Sequence, residues 1–233
     1  MFHPVDAPME RGWPGRIDGE HVVQLAAQTL ESFFTGGGSA REHAVYPRDA
    51  VRLLAPVLHP PAVRLFEGED SFAFANPAAI VGPGTGVAPR RPGDDVSRRS
   101  GSISMLSRVA AVIGGGGAIA GFTILAEWRD PRLAAPKDRD FALGLGPVVA
   151  TSDELPPAEL VAVARVDGAE RSRARTEGFD WSRARNLAAA GTALRSGDLL
   201  GSPPLDSIAV LFGSAVELEV DGIGVLGQHV LRH

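Results

Sequence analysis

The sequence predicts an α+β fold dominated by strands, and three features of the chain carry this prediction. Glycine and proline account for 28 and 18 of the 233 residues, which is typical of short strands joined by turns and unfavourable for a helical bundle. Short apolar runs recur along most of the chain, whereas apolar residues at helical spacing occur in two segments. No repeat with a period of about 20–50 residues is present, which excludes a solenoid.

Residues 1–60 are predicted to form a small α+β segment that precedes the main domain at 61–233. Asp18-Gly19 is a turn signal between two short apolar stretches and predicts a hairpin. Apolar residues then recur at helical spacing from Val22 to Phe34, and three glycines end this predicted helix. A proline-rich connection at 55–61 leads into the main domain.

The main domain contains nine runs with the composition of strands, separated by turns rich in glycine, proline and aspartate. The predicted strands are Ser71–Phe74, Ala79–Val81, Ile103–Ile113, Gly121–Trp128, Val148–Ala150, Leu160–Val166, Ile208–Phe212, Val216–Val220 and Gly224–Val230. Gly114–Gly117 predicts a tight turn between strands, because it lacks the Gly-Lys-Ser/Thr ending of a phosphate loop. Further turns are predicted at 82–86 and 92–95, and a helix is predicted over Ser182–Ala190.

Composition and charge exclude several classes of function. The formal net charge of −5 opposes a nucleic-acid-binding surface, which requires clustered excess cations. The absence of cysteine excludes disulfides, thiolate metal sites and cysteine nucleophiles. No apolar run reaches the length of about 18 residues that spans a bilayer, and the first residues lack the pattern of a signal peptide. We therefore expect a cytoplasmic protein that has no nucleic-acid or membrane partner.

Six segments, in order, resemble the fumarylacetoacetate hydrolase family. The first reads Asn-Pro-Ala-Ala-Ile-Val-Gly-Pro-Gly and is similar to the family's Asn-Pro-x-Ala-x-Val-Gly-Pro-Gly. The similar segments are Asn76–Gly84, Val109–Gly114, Gly121–Trp128, Leu145–Leu155, Thr192–Ser202 and Val216–Leu226. Because the matches keep their order across the main domain, the chain is identified as a member of this family.

The resemblance implies a mixed β-roll, in which sheets wrap around each other with few helices, and a homodimer. It also implies a chemistry. Members of the family use Mg²⁺, Mn²⁺ or Ca²⁺, held by carboxylates, to chelate a 2-oxo acid or a β-dicarbonyl compound and to stabilise its enolate. The implied ligand is a small anionic oxo-acid or a polyketide-like compound.

The metal ligands of the family are missing from this chain. The family places Glu-x-Glu on one strand, where both carboxylates face the same side, and adds an aspartate from the next strand. The alignment through Val109–Gly114 puts Leu106 and Arg108 at the glutamate positions and Glu127 at the aspartate position. An apolar group cannot ligate a hard cation, and a guanidinium repels one. We expect no metal and no other cofactor, and we expect Arg108 to pair with Glu127.

The groups that activate water in the family are also missing. The family's His–Glu pair lies in a loop after the proline-rich connection, but here only four residues separate Pro61 from Phe66. Three carboxylates follow, at Glu67, Glu69 and Asp70, without a histidine. Hydrolysis by the family mechanism is therefore not expected, because a general base must lie within hydrogen-bond reach of the water.

Several cationic and polar residues align with the remainder of the family's site. Arg139 aligns best with the active-site lysine of the family, and Lys137 is the alternative because the spacing varies among members. We assign catalytic roles to Glu127, Arg108 and Arg139. We assign substrate binding to Lys137, Arg129 and Ser202.

Two functions remain open at this point. In the first, the chain is a metal-free enzyme of the lyase, isomerase or cyclase type: Arg108 stabilises a carboxylate or an enolate, Arg139 binds the other end of the substrate, and Glu127 acts as acid or base. In the second, the chain is a catalytically inert homologue with a binding or structural role. Arg108 and Glu127 then form an internal ion pair, and Leu106 adds to the core. We favour the enzyme.

Overall fold

The computed structural model describes residues 1–37, 39–89, 101–155, 160–176 and 178–232, which form eighteen strands and two helices. The strands are β1 (Phe2–Pro4), β2 (Gly15–Asp18), β3 (His21–Ala26), β4 (Ser39–Pro47), β5 (Val51–Leu53), β6 (Val63–Phe66), β7 (Phe72–Ala75), β8 (Ile80–Val81), β9 (Gly86–Val87), β10 (Ser102–Ile113), β11 (Ile119–Arg129), β12 (Leu143–Thr151), β13 (Val161–Val166), β14 (Ala169–Arg175), β15 (Leu199–Gly201), β16 (Asp206–Leu211), β17 (Ala215–Val220) and β18 (Gly224–Val230). The helices are α1 (Leu30–Phe34) and α2 (Trp181–Ala189). The predicted strand-dominated α+β fold is confirmed.

Two sheets dominate the architecture. The larger is a mixed, curled sheet with the strand order β7-β6-β15-β10-β11-β12-β8, and β16 pairs with the first half of β10. The second sheet has the order β14-β13-β17-β18-β9. Strands β2, β3 and β4 form a separate antiparallel sheet, and β1 pairs with β5. The long strands β10 and β11 lie at the centre of the larger sheet and place the candidate site.

The larger sheet is covered on both faces. One face packs against the five-stranded sheet and α2 and forms the main core, which includes Val109, Phe122 and Leu218. The other face forms a second core, to which Ala110 on β10 and Leu125 on β11 belong. Because neighbouring residues of a strand face opposite sides, a central strand between two cores is apolar along nearly its whole length.

The helix predicted from Val22 to Phe34 is wrong over its first half. His21–Ala26 is strand β3, which pairs with β2 across the predicted Asp18-Gly19 turn. Gly19 has a φ of +55°, which suits a tight hairpin, and the β-branched valines that follow favour a strand. The helix begins only after Thr29, whose hydroxyl accepts a hydrogen bond from the Ser32 amide in a capping box.

The other predicted elements agree with the structure to different degrees. Helix α2 and the nine predicted strands are present, with bounds that differ by a few residues, and Gly114–Gly117 is the turn between β10 and β11. The prediction missed β4, β6 and β14 because their polar residues interrupt the apolar pattern, and it missed β1, β5, β9 and β15 because each has only two or three residues. In β6, for example, the buried Arg64 pairs with Asp198 at 3.1 Å. The predicted turn at 92–95 lies outside the described residues.

Neither helix in the described part of the chain has the length and apolar character that crossing a bilayer requires.

Gly121 on β11 provides a test of the packing between the central strands. A Cβ at this position would overlap the Ala150 carbonyl oxygen on β12, so Gly121→Ala is expected to lower the free energy of unfolding by about 1–3 kcal/mol. Gly227→Ala on β18 is the matched control, because its Cβ would meet nothing within 4 Å. Chemical denaturation measures both variants. Equal stability of the two would contradict the register between β11 and β12.

Candidate functional site

The strand register puts Arg108 and Glu127 side by side on one face of the larger sheet. Ala110 and Leu125 belong to the second core, so Arg108 and Glu127, two residues away on the same strands, face the same side. The antiparallel register pairs Arg108 with Leu125 and Leu106 with Glu127. Arg108 and Glu127 are therefore diagonal neighbours, which lie within reach of long side chains.

Arg108 and Glu127 form a buried ion pair, as the sequence predicts. Arg108 Nε donates to Glu127 Oε2 at 2.8 Å, and both side chains are 0% exposed. Arg108 Nη1 also donates to the carbonyl oxygens of Phe66 at 2.7 Å and Ser202 at 2.5 Å. One guanidinium thus links strands β10 and β11 to the carboxyl ends of β6 and β15.

Ser202 supports this pair through its backbone, and its hydroxyl is occupied. The hydroxyl accepts a hydrogen bond from the Val109 amide at 3.2 Å and lies 2.8 Å from the Pro203 carbonyl oxygen, to which it donates. The Ser202 side chain is buried. The contact that Ser202 makes with the site is the hydrogen bond between its carbonyl oxygen and Arg108.

Two further arginines converge on Glu127. Arg129 Nε donates to Glu127 Oε1 at 2.7 Å, and Arg139 Nη1 lies 3.9 Å from the same oxygen. Each of these two side chains is 24% exposed, whereas Arg108 is fully buried. Arg108, Arg129 and Arg139 are called the arginine cluster below.

A second carboxylate, Glu67, lies against the arginine cluster. Its Oε1 lies 3.4 Å from Arg139 Nη1, 3.6 Å from Arg129 Nη2 and 3.8 Å from Arg108 Nη2. The sequence shows Glu67 next to the shortened loop but gives no reason to assign it to the site. The usable signal is its position directly after the buried strand β6, whose last carbonyl binds Arg108.

Lys137 does not join the arginine cluster. Its side chain is 71% exposed and forms an ion pair with Asp140. The hydrogen bonds from Lys137 and Asn76 hold the pKa of Asp140 below its usual value. Of the two residues aligned with the family's lysine, the structure therefore brings Arg139, and not Lys137, into contact with Glu67 and close to Glu127.

The pKa values of Arg108 and Arg129 are shifted in opposite directions. Burial lowers the pKa of the Arg108 guanidinium below its usual value, and the charge and hydrogen bond of Glu127 oppose this shift. Burial acts on Arg129 in the same sense, but the hydrogen bond and charge of Glu127, together with the charges of Glu67 and Asp138, outweigh it and raise the pKa of Arg129. Because arginine keeps its proton in proteins, the site retains a permanent positive charge.

The residues that the resemblance aligns with the family's metal ligands do not fit a divalent cation. Leu106 offers no oxygen, Arg108 carries a positive charge, and both oxygens of Glu127 accept hydrogen bonds from guanidinium groups. Within the described ranges, no group of three histidine, cysteine, aspartate or glutamate side chains could hold a metal ion. The arginine at position 108 supplies positive charge where the family's second glutamate ligand would stand.

Comparison with known proteins agrees with the fold described above. The family model for the fumarylacetoacetate (FAA) hydrolase C-terminal domain matches residues 41–231. The chain belongs to the fumarylacetoacetate hydrolase family. No curated protein sequence matches it.

Solved structures with the same fold cover almost the whole chain. A 5-carboxymethyl-2-hydroxymuconate delta-isomerase from Mycobacterium smegmatis is 24% identical, with a TM-score of 0.74 and 94% of each chain covered. A maleylpyruvate hydrolase from Sphingobium sp. SYK-6 is 19% identical, with a TM-score of 0.74 over 95% of this chain and 97% of the other. A fumarylacetoacetate hydrolase from Exiguobacterium antarcticum is 19% identical, with a TM-score of 0.75 and 95% of each chain covered. These similarities show the fold.

Removal of the buried guanidinium tests its structural role. Arg108→Met is expected to lower the free energy of unfolding by about 3 kcal/mol or more, because it leaves the fully buried Glu127 with one hydrogen-bonded cation fewer. Arg173→Met is the matched control, because the exposed pair of Arg173 with Glu170 on β14 contributes little. Chemical denaturation of both variants gives the comparison. Similar stability of the two variants would show that the buried pair does not hold the strands together.

Proposed function

We propose that this chain is a metal-independent enzyme that acts on a small 2-oxo or β-dicarbonyl acid, with an isomerase, lyase or cyclase type of reaction. The observation that supports this most is the arginine cluster, in which three guanidinium groups surround the Glu127 carboxylate at the place of the family's metal. Positive charge for an oxo-acid and its enolate is thus retained in a form that needs no metal ligands.

The exposure of the arginines divides their proposed roles. Arg129 and Arg139 are partly exposed, and a ligand carboxylate and an enolate oxygen can reach them. Arg108 is fully buried, and its Nε and Nη1 are bonded to Glu127, Phe66 and Ser202, so it positions Glu127. Its Nη2, which has no hydrogen-bond partner among the described residues, stays available to a ligand oxygen. Lys137 and Ser202 lie outside the arginine cluster. We propose that Lys137 contacts a ligand only at the outer edge of the site, and that Ser202 acts through its hydrogen bond with Arg108.

Glu127 is the proposed acid or base. Its Oε1 accepts one hydrogen bond, from Arg129, on the side that faces the partly exposed arginines. When Oε1 takes a proton from the carbon next to the keto group, the C–H electron pair forms a C=C bond and the carbonyl electron pair moves to oxygen. The enolate oxygen then lies beside Arg129 or Arg139, and return of the proton to another carbon of the conjugated system gives isomerisation.

Two of the proteins with the same fold are an isomerase and a hydrolase. The isomerase name agrees with a reaction that needs no activated water. From the family resemblance we also propose that the chain acts as a homodimer, and we propose separately that it acts in the cytoplasm.

The alternative is an inert homologue with a binding or structural role. The observation that favours it is the burial of the ion pair. Arg108 and Glu127 are both 0% exposed, as expected for a pair that only stabilises the fold. The two functions make different predictions for ligand binding and proton exchange.

The metal independence has a direct test. Treatment with a chelator, or addition of Mg²⁺ or Mn²⁺, is expected to leave the melting temperature unchanged. A metal bound to the native state would raise the melting temperature, and its removal would lower it. Differential scanning calorimetry of the purified protein measures this, together with elemental analysis. About one equivalent of divalent metal per chain, with a lower melting temperature after chelation, would contradict the proposal.

Enolisation distinguishes the enzyme from the inert homologue. In D₂O, the wild-type protein is expected to speed deuterium uptake at the carbon next to the keto group of one or more acids in a panel of 2-oxo and β-dicarbonyl acids. NMR follows the exchange.

Arg139→Met is expected to weaken the affinity for such a ligand, measured from the ligand-induced thermal shift, by about ten- to a hundredfold, since it removes a charged hydrogen-bond donor. Arg173→Met, on the exposed β14, is the control. No exchange and no thermal shift across the panel would favour the inert homologue.

A further inference from the structure

Glu67 differs from Glu127 because it is held loosely. Its Oε1 lies 3.4–3.8 Å from nitrogens of all three arginines of the cluster. Charge-assisted hydrogen bonds are usually about 2.7–2.9 Å long, and Arg108 and Arg129 hold Glu127 within this range. The Glu67 side chain is also 43% exposed, whereas that of Glu127 is 0% exposed.

The nitrogens that face Glu67 have unused hydrogen-bonding capacity. Within the described residues, the buried atoms Arg108 Nη2 and Arg129 Nη2 have no hydrogen-bond partner. Arg108 Nη2 lies 2.7 Å from Glu127 Oε2, but this contact lacks the geometry of a hydrogen bond. Buried donors without acceptors are costly. These two donors and Arg139 converge on the place where the Glu67 carboxylate lies, and a better-placed carboxylate would satisfy them.

We propose that the arginine cluster is the carboxylate-binding site of this chain and that Glu67 is a displaceable internal anion, which occupies the site until a ligand carboxylate takes its place. The ligand class, a 2-oxo or β-dicarbonyl acid, rests on the function proposed above. The exchange keeps the local charge balanced. The three arginines face three carboxylates, those of Glu67, Glu127 and Asp138, and a ligand carboxylate that replaces Glu67 leaves this number unchanged.

The backbone around Glu67 allows this exchange. Glu67 is the first residue of the turn between β6 and β7, and its amide donates to the Ser71 carbonyl oxygen at 3.1 Å. This hydrogen bond closes the turn independently of the side chain. The neighbouring Gly68 has open space around it. The Glu67 side chain can therefore move toward solvent while β6, which carries the Arg108 contact at Phe66, stays in place.

The same turn provides a matched control. Glu69 lies two residues further on, is exposed, and forms an ion pair with Arg183 of helix α2 at 3.2 Å. Neutralising Glu69 changes the charge of the turn without changing the anion that faces the arginine cluster. A difference between the two glutamine variants therefore reports on the position of Glu67.

The displacement has a measurable consequence. When an internal group occupies a site, only the fraction of molecules with the site free binds the ligand, and the apparent dissociation constant rises by the inverse of this fraction. Glu67→Gln removes the competing charge and is expected to tighten the binding of malonate, a simple β-dicarboxylate probe, by about tenfold or more. Glu69→Gln is expected to bind malonate like the wild type.

Isothermal titration calorimetry with malonate, on variants whose fold is checked by circular dichroism, tests the proposal. Adding Arg139→Met to Glu67→Gln is expected to abolish the gain. If the wild type binds malonate and Glu67→Gln binds it equally or more weakly, the displacement is overturned, while the proposed function stands. If no folded variant binds malonate, the arginine cluster is not a carboxylate site. The deuterium-exchange assay then decides separately whether the chain is an enzyme.

Discussion

A fully buried arginine constrains the centre of this fold. A guanidinium removed from water requires acceptors for its donors and a counter-charge, and Arg108 finds them in Glu127, the Phe66 carbonyl and the Ser202 carbonyl. These partners lie on β11, at the end of β6 and directly after β15, so one side chain of β10 is bonded to residues of three other segments of the sheet. This one side chain thus links Glu127, and the residue that precedes the turn at Glu67, to β10.

The arginine changes what the family's site can do. A metal ion exchanges its ligands and offers open positions for a substrate and a water molecule, whereas Arg108 is fixed by covalent attachment and by three hydrogen bonds from its Nε and Nη1. In the proposed function, positive charge reaches a ligand through the partly exposed Arg129 and Arg139 instead. The shortened loop inferred from the sequence agrees with the proposed reaction, because enolisation needs a proton acceptor and a stabilised oxygen but no water.

Much of the fold and the central pair of the site could be predicted from the sequence. Strands β10 and β11 are long apolar runs, and alternation along them, with the family alignment, is sufficient to place Arg108 beside Glu127. The helix predicted from Val22 was wrong because a hairpin partner outweighed helical spacing. Glu67 could not be assigned, because its contact with the arginine cluster depends on the parallel pairing of β6 with β15, which are distant in sequence.

A double-mutant cycle between Arg108 and Glu127 tests most directly whether this ion pair organises the site. The free energies of unfolding of Arg108→Met, Glu127→Gln and the combined variant are compared with that of the wild type. Each single change leaves a buried charge with too few partners, so the double variant is expected to lose less stability than the sum of the singles, by about 2 kcal/mol or more. Losses that add to within about 0.5 kcal/mol would contradict the account, because they would show that the two residues act independently.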